Sequence, residues 1–380
     1  MKKVLTRCVF FAFLFSFFSL AAAAEEASLV TDELRADHAA FMESIPEEIA
    51  DLLPESFLTA SPESAEEGVQ EAGSFEAVLG AIGSVTGLAL KENLSLLAKI
   101  CGLLLLAAIF RTLVGEKGGG LAKSYSFCTT LASSVLLLSL QMGKLSKLEA
   151  FFRTVEALCA AVLPMMGTLY AMGGNLRRAV VNHSALSFFL SILETFCAHT
   201  VLPIAGICLA FALLDATTGR GALRGLAGVI KRTYTLTIGF LMGIFCFVLG
   251  TQSALANASD SLALRTARFA AGSFLPLVGG SVSETLRTVA GSVEYLRSVT
   301  GTGAILVLFF LFLPTFLSVL LTRIALLLGG AVANLLSCEA EGKILSEVSS
   351  VYGYFLAIIA VLFVTITFSL TLFAQCAAAV

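Results

Sequence analysis

The chain has 380 residues, of which 57% are hydrophobic and 13% are charged, whereas an ordinary soluble domain carries about 25% charged residues. A chain so poor in charge cannot cover a water-facing surface, which argues against a soluble enzyme, and its hydrophobicity excludes disorder over most of its length. The formal net charge is -3, and no basic region favours nucleic acid as a partner. Several apolar runs approach the ~20 residues that span a bilayer as a helix, so we predict an all-α, polytopic helical membrane protein.

The first 24 residues have the pattern of a secretory signal peptide. A basic start is followed by an apolar run from Cys8 to Leu20 and by a small-residue cleavage site at Ala22–Ala24. An uncleaved signal anchor is the alternative interpretation of the same run. In both cases the chain from Glu25 onward is expected outside the cytoplasm.

Residues 25–73 form an acidic extracytoplasmic segment in which Arg35 is the only basic residue. Short helices are expected near residues 31–43 and 46–53. The segment is too small and too charged for a large core of its own. Its negative charge also argues against nucleic acid as a ligand of this segment.

The membrane region begins with an amphipathic helix. Residues 74–90 place Phe75, Leu79 and Ile82 on one helical face, which predicts a helix lying on the outer membrane surface. After it, the apolar runs predict about five full crossings. These crossings cover residues 94–114, 124–142, 155–172, 235–255 and 351–373.

Two further apolar runs are too long for one crossing of a ~30 Å hydrocarbon core. The runs are Ala185–Leu214, which contains Pro203, and Ala304–Leu336, which contains Pro314. We predict that each forms a helical hairpin, spanning or re-entrant, which gives seven to nine membrane segments. The hairpins keep most basic loops, including Lys231, in the cytoplasm together with the C-terminus, as the positive-inside rule requires. Two lysines in an outer loop, at positions 144 and 147, do not fit that rule.

The predicted organisation has five parts. They are a signal peptide (1–24), the acidic segment (25–73), an amphipathic helix with a first membrane bundle (74–256), an extracytoplasmic amphipathic region (257–302) and a C-terminal membrane bundle (303–380).

Three ionisable residues at predicted membrane depth are candidates for function: Glu194, His199 and Arg323. Such groups face a bundle interior or a water-filled cavity, so they predict a polar pathway or a proton-coupled site, with a structural ion pair or snorkelling as the alternative. Glu194 and His199 lie about 140° apart around a helix and do not share a face, which argues against an intramembrane enzyme. No spacing of the 9 cysteines and 3 histidines suits a metal. We predict a protein without catalytic residues, metal or cofactor.

The stretch from residue 260 to 280 reads DSLALRTARFAAGSFLPLVGG. Arg265 and Arg268 share one helical face, and a second amphipathic helix of about 16 residues follows from Ser281. This stretch resembles the signature of the stage III sporulation protein AE family, and the order of signal peptide, acidic segment, crossings and signature is similar too. The matching signature positions are Asp260, Leu264, Arg265, Thr266, Arg268, Phe269, Pro276 and Gly279.

The resemblance implies a non-enzymatic membrane component of a trans-envelope, secretion-like channel complex that links mother cell and forespore and is needed for forespore development. The implied partners are other stage III sporulation membrane proteins, including a secretion-type ATPase and ring-forming proteins, together with membrane lipid. The implied location is the mother-cell-derived membrane around the forespore. The family has no catalytic residues to transfer, so the signature positions are candidates for interaction. A permease or secondary transporter with a polar site in broken membrane helices is the alternative.

Overall fold

The fold is given by a computed structural model in which every regular element is helical. The structure describes residues 34–58, 65–115, 120–172, 200–218, 225–245, 247–248, 251 and 279–375, and no strand occurs in these ranges. Four helices in them are long and apolar enough to cross a membrane: Phe75–Leu113, Cys128–Leu169, Val299–Leu335 and Glu339–Thr371. The prediction of an all-α membrane protein is thereby confirmed, while the number of crossings stays a prediction.

Four short helices make up the described part of the acidic segment. They are α1 (residues 34–43), α2 (Glu47–Ala50), α3 (Glu55–Leu58) and α4 (Ala65–Ala72). Their apolar side chains, such as Phe41 and Phe57, are buried while most of their acids are exposed. Because an amphipathic helix this short needs a surface to cover, the segment packs on the membrane bundle and has no separate core. The short helices predicted for this segment are confirmed.

The bundle is built from much longer helices than the sequence suggested. They are α5 (Phe75–Gly115), α6 (Gly120–Met172), α7 (Leu202–Thr218), α8 (residues 225–245), α9 (Gly279–Leu335) and α10 (Glu339–Gln375). With 57 residues, α9 is about 85 Å long at 1.5 Å per residue. It therefore extends well beyond a ~30 Å hydrocarbon core.

Two predicted interruptions in the first bundle are absent. The amphipathic helix 74–90 and the first crossing are one helix, α5, because glycine weakens a helix by only about 1 kcal/mol and no proline separates them. The second and third crossings are likewise one helix, α6. The stretch between them, residues 143–154, was predicted as a loop because it is charged, yet its Lys, Leu and Glu residues favour helix.

The predicted hairpin in residues 304–336 was wrong. Helix α9 runs without a break through Pro314, and it also crosses the predicted domain boundary at residue 303. Proline removes a single backbone hydrogen bond, and a helix packed among neighbours tolerates that loss. Aromatic side chains just before Pro314 supply such packing, since Phe310 and Phe312 are both buried.

The chain turns back only after α9. Ser337 adopts the left-handed conformation with φ 58°, and Cys338 N donates a hydrogen bond of 2.8 Å to Ala333 O. These features end α9 and start α10 at Glu339, so the two helices form an antiparallel pair. Residues 339–350, which separate the last two apolar runs, therefore form the first part of α10.

The predicted hairpin in residues 185–214 is described only in its second arm. Helix α7 begins at Leu202, so Pro203 lies in its first turn, where proline is tolerated. The first arm lies outside the described residues, and this hairpin stays a prediction. The signal peptide also lies outside them.

Helix α9 occupies the centre of the bundle. The Phe312 ring packs on Phe151 of α6 at 5.0 Å between centroids and on Phe363 of α10 at 5.3 Å. On α9, a side chain at Gly329 would meet Ile100 Cγ2 of α5 at 2.8 Å, so the glycine is what allows the two helices to approach. The helices α5, α6 and α10 thus surround α9, and polar side chains between them become buried.

Candidate functional site

A set of residues, most of them polar, lies buried or half-buried where α6, α9 and α10 pack together. We call this set the polar ring, and it consists of Gln141, Lys144, Thr322, Arg323, Tyr352 and Gly353. Ionisable groups inside a membrane bundle are costly, and they are functional candidates for that reason.

Lys144 joins three helices. Its Nζ donates hydrogen bonds of 2.6 Å both to Asn93 Oδ1 of α5 and to Thr322 Oγ1 of α9. Asn93 and Thr322 are buried, and their own oxygens are 2.8 Å apart. Asn93 also donates from Nδ2 to Ala89 O at 2.7 Å, which holds the amide in its orientation. The misfit of Lys144 to the positive-inside rule has a structural explanation, since this lysine lies in a helix and not in an outer loop.

Gln141 lies one turn before Lys144 on the same face of α6. It accepts a hydrogen bond of 2.6 Å from the Tyr352 hydroxyl of α10. The residue is 1% exposed, and its Nε2 has no hydrogen-bond partner in the described part of the chain. A buried amide N–H₂ without an acceptor is unfavourable by about 1–3 kcal/mol, so this donor calls for an explanation.

Arg323 follows Thr322 directly on α9, and its guanidinium lies against Gly353 of α10. A Cβ atom at position 353 would be 3.1 Å from Arg323 Cζ, so a larger residue there would require the guanidinium to shift by a few tenths of an ångström. Arg323 is half-buried, and its Nε is buried without a hydrogen-bond partner among the described residues. The sequence identified this arginine correctly as an intramembrane polar candidate, but α9 places it inside a continuous helix.

These contacts close a ring around three helices. Lys144 contacts Thr322, and Arg323 contacts Gly353. The neighbouring Tyr352 contacts Gln141, one turn from Lys144. Two donors of the polar ring, Gln141 Nε2 and Arg323 Nε, have no hydrogen-bond partner among the described residues.

A second buried polar contact joins α8 to α10. Lys231 Nζ lies 3.7 Å from Glu347 Oε2 and donates a hydrogen bond of 2.6 Å to Ser350 Oγ. Both charged side chains are buried. Lys231 was predicted in a loop, and that part of the prediction was wrong because α8 includes it, while its cytoplasmic side stays a prediction. A buried carboxylate neutralises this lysine.

A third polar contact joins the C-terminal end of α5 to the turn between α9 and α10. Arg111 Nη1 donates to Ser337 O at 2.8 Å, and Nη2 lies 3.1 Å from Glu341 Oε2. Glu341 has a side chain that is 0% exposed.

The pKa of the neighbouring Cys338 thiol is raised first by burial and then by the negative charge of Glu341, while the positive charge of Arg111 opposes that shift. We therefore expect the Cys338 thiol to react slowly.

The structure gives no side-chain contacts for the remaining predicted site residues. Glu194, His199 and the signature positions Asp260, Leu264, Arg265, Thr266, Arg268, Phe269 and Pro276 lie outside the described residues. Gly279 is the first residue of α9. Within the ranges that the structure describes, no group of three His, Cys, Asp or Glu residues could hold a metal.

Sequence reasoning missed Gln141, Thr322 and Tyr352, and the misfit of Lys144 to the positive-inside rule was the only signal pointing to them.

Comparison with known proteins finds the same family that the signature stretch at residues 260–280 resembles. The family model described as stage III sporulation protein AE matches residues 63–379. A relative named stage III sporulation protein AE, from Bacillus subtilis (strain 168), is 23% identical over 149 residues, which is 39% of this chain and 37% of the relative. The aligned part thus covers well under two thirds of the relative's length. No solved structure matches the chain.

Proposed function

Because the chain belongs to the stage III sporulation protein AE family, which implies a role in sporulation, we propose that it is a non-enzymatic membrane component of a trans-envelope channel complex. In this proposal the complex connects mother cell and forespore and is needed for forespore development. The family match carries the proposal because it takes in all the long helices, from α5 to α10.

The length of the helices supports a role in a larger assembly. Helix α9 alone is about 85 Å long, so part of it stands outside a ~30 Å hydrocarbon core and is available for contacts with other proteins. The short helices of the acidic segment pack near its N-terminal half. A Cβ at Gly303 of α9 would lie 3.2 Å from Val69 Cγ2 and 3.5 Å from Phe57 Cε2. The acidic segment and the first half of α9 thus form one surface.

Exposed apolar faces support a membrane platform. Phe75 and Leu88 of α5 are 83% and 70% exposed, and Phe240 of α8 is 72% exposed. Faces of this kind are stable against lipid or against helices of other membrane proteins. We propose that they contact lipid and the other stage III sporulation membrane proteins.

The proposed orientation follows from the signal-peptide pattern, which is expected to place the acidic segment outside the cytoplasm. The acidic segment and the signature region, with Arg265 and Arg268, would face the space between the two membranes and meet ring-forming partners there. Because α9 is one unbroken helix and α10 runs antiparallel to it, the C-terminus would lie on the same side as the start of α9, and not in the cytoplasm as the sequence predicted. The turn between α9 and α10 would face the mother-cell cytoplasm, where a secretion-type ATPase operates. The protein would lie in the mother-cell-derived membrane around the forespore.

A transporter is the second candidate, and the polar ring is the observation that favours it. Half-buried Lys144 and Arg323 resemble the polar sites that transporters place between membrane helices. The purified protein in liposomes distinguishes the two proposals. Solute uptake that is lost on Arg323→Gln would support a transporter, whereas absence of flux would favour the platform.

A genetic experiment tests the main proposal. The gene is deleted in its own host and restored with the wild-type copy as the control. The proposal expects normal vegetative growth, arrested forespore development in the deletion strain and full recovery on complementation. Normal spore yield from the deletion strain would contradict it.

A further inference from the structure

The outer face of α5 carries two glycines that no described contact requires. Gly83 and Gly87 are exposed and lie on the side of α5 opposite the buried Val85. A Cβ atom at either position would have no neighbour within 4 Å in the described part of the chain. Glycine disfavours a helix more than any residue except proline, and Gly329 shows the usual reason for its use, which is a close helix contact. A contact with a helix outside this chain would give Gly83 and Gly87 the same reason.

Helix α8 shows the same feature on its outer side. Gly239 and Gly243 are exposed, and a Cβ atom at either position would also have no described neighbour within 4 Å. The residues that precede them, Ile238 and Met242, are buried and hold α8 to the bundle. Both faces combine these gaps with projecting apolar side chains. The exposed ones that flank the glycines are Leu79, Leu88 and Leu90 on α5 and Leu236, Phe240 and Ile244 on α8.

Helix α8 runs in the same direction as α10. Lys231 Nζ donates a hydrogen bond of 2.6 Å to Ser350 Oγ. One turn further along both helices, the rings of Tyr234 and Tyr354 pack at 5.8 Å between centroids. The order of these contacts is the same in the two sequences, so the two helices are parallel.

Helix α5 runs in the same direction as α9. Asn93 contacts Thr322, with 2.8 Å between their side-chain oxygens, and one heptad further along each helix Ile100 contacts Gly329. Because α9 and α10 are antiparallel, α5 and α8 run in opposite directions. The glycines of both helices are exposed, so α5 and α8 do not cover each other's outer face.

A common level links α5 to α8 through the centre of the bundle. Gly353 of α10 lies against Arg323 of α9. The residues next to these two in the chain contact Tyr234 of α8 on one side and Asn93 of α5 on the other. Tyr234 and Asn93 therefore mark about the same height in the bundle.

The two glycine pairs lie at matching heights above this level, in the direction of the acidic segment. At 1.5 Å per residue, Gly239 is about 7.5 Å and Gly87 about 9 Å from the level. Gly243 and Gly83 are about 13.5 Å and about 15 Å from it. The heights of the corresponding glycines on α8 and α5 thus agree within about 2 Å.

We propose that the outer face of α5 is the docking surface for α8 of a second copy of this chain. Two copies in one membrane share one orientation, so α5 of one copy meets α8 of the other antiparallel. Gly87 would then lie opposite Gly239, and Gly83 opposite Gly243. Glycines four residues apart let membrane helices approach closely, whereas lipid covers an apolar face without any need for glycine. A different partner would have to match one face only, so the agreement of both faces in height and direction favours a second copy.

Two exposed cations limit the extent of the contact. On the side of the glycines that leads to the α9–α10 turn, the two faces carry Lys91 and Arg232. Helices that pack through glycine pairs cross at about −40° and diverge on either side of the crossing, which keeps the two cations apart. The contact is therefore confined to the level of the glycines.

The proposed contact joins two different faces, so it is heterologous. Each copy keeps one α5 face and one α8 face for its two neighbours, and contacts of this type build a ring when the rotation closes. In a membrane the copies stay upright, so the product is a ring or a row in the membrane plane. The inference goes beyond the proposed function, because it concerns copies of this chain alone and does not depend on a role in sporulation.

Disulfide cross-linking tests the contact in membranes of an expression host that lacks sporulation proteins. Gly87→Cys and Gly239→Cys are placed together in one chain and also separately in two chains. Cysteines can be bridged when their Cα atoms lie within about 7 Å, as at a close helix contact. Oxidation should link the double variant into a ladder of dimers and larger products, and a mixture of the two single variants into dimers only. Each single variant alone should give no more product than the wild-type chain, whose own cysteines set the background.

Leucine substitutions in the double-cysteine chain separate the contact from folding. Gly243→Leu should lower the cross-linked fraction at least about tenfold, because a large side chain keeps the helices apart. Gly143→Leu is the matched control, since Gly143 is an exposed glycine of α6 with no described neighbour within 4 Å of its Cβ position. Leucine favours helix over glycine, so a loss of cross-linking would not reflect unfolding. A double-cysteine variant at background, products from the single variants alone, or an equal loss from both leucines would overturn the proposal.

Discussion

Lys144 of α6 donates a hydrogen bond of 2.6 Å to the hydroxyl of Thr322 on α9, although 178 residues separate them in the chain. Asn93 of α5 completes the contact, so one ammonium group connects three helices. In a membrane bundle, where apolar surface gives little preference for one helix neighbour over another, such polar contacts select the arrangement. The polar ring therefore defines how the long helices pack.

The first prediction concerns Thr322. Thr322→Val keeps the shape of the side chain but removes one acceptor of Lys144, and a buried donor that loses its acceptor is unfavourable by about 1–3 kcal/mol. We expect a lower unfolding midpoint in detergent. The matched control is Thr112→Val on α5, whose hydroxyl is exposed and bonds its own helix. A surface change of this kind alters stability by no more than about 0.5 kcal/mol. Equal midpoints for the two variants would show that the Lys144 contact contributes nothing.

The second prediction compares Gly329, at the α5–α9 contact, with Gly102, an exposed glycine of α5. Gly329→Ala brings a Cβ to 2.8 Å from Ile100 Cγ2, so we expect destabilisation by about 1–3 kcal/mol from overpacking. Gly102 of α5 has nothing within 4 Å of its Cβ position. Gly102→Ala should therefore stabilise the helix by up to about 1 kcal/mol. Unfolding midpoints that move in the same direction would contradict the close approach of α5 and α9.

The third prediction concerns the buried carboxylate at the turn between α9 and α10. Arg111→Ala leaves Glu341 without its cation, and we expect a loss of about 1–3 kcal/mol. The value is below that for a fully buried pair, because Arg111 is 28% exposed and water screens it. Adding Glu341→Gln should recover part of the loss, since a neutral amide is easier to bury. A double-mutant cycle on thermal unfolding measures this coupling, and additive effects would argue against the ion pair.

The fourth prediction concerns thiol reactivity. Burial raises the pKa of the Cys338 thiol, so less of it is thiolate at neutral pH. In variants that retain a single cysteine, maleimide should label Cys338 much more slowly than the exposed Cys128. The rate for Cys338 should rise only at a pH above that of an ordinary thiol. Fast labelling of Cys338 at neutral pH would mean that the α9–α10 turn is open.

The fifth prediction addresses the signature region. Arg265→Ala combined with Arg268→Ala should block forespore development while the protein remains in the membrane fraction. The expected cause is the loss of a basic face that contacts partners between the two membranes. Spore yield and membrane fractionation measure the two effects, and Arg153→Ala serves as the control because it removes an exposed arginine on α6. A normal spore yield from the double variant would remove these arginines from the mechanism.

The sequence predicted the fold class because apolar runs report directly on the membrane environment. It also predicted short helices near residues 31–43 and 46–53 of the acidic segment, where the structure has α1 and α2. It failed on the lengths of the helices, since charges between two apolar runs were interpreted as a loop. In the structure those charges form ion pairs compatible with a helix, such as Arg153 with Glu149 at 2.8 Å.

The polar ring could not be predicted because its members come from three separate helices. Gln141 and Tyr352 look like isolated polar residues in apolar runs, and only packing brings them within 2.6 Å of each other. Arg323 was identified because a single arginine in a long apolar run is conspicuous. Its contact with Gly353 depends on how α9 packs against α10. The periodicity of apolar residues within one helix carries no information on that packing.

The most direct test of the central claim is a pull-down of the tagged protein from detergent-solubilised sporulating cells, with retained proteins identified by mass spectrometry. The account predicts that the other stage III sporulation membrane proteins and a secretion-type ATPase are retained. It also predicts that the Arg265→Ala and Arg268→Ala double variant retains fewer of them than the Arg153→Ala control. A homogeneous preparation without these proteins would contradict the proposed complex and favour an independent transporter.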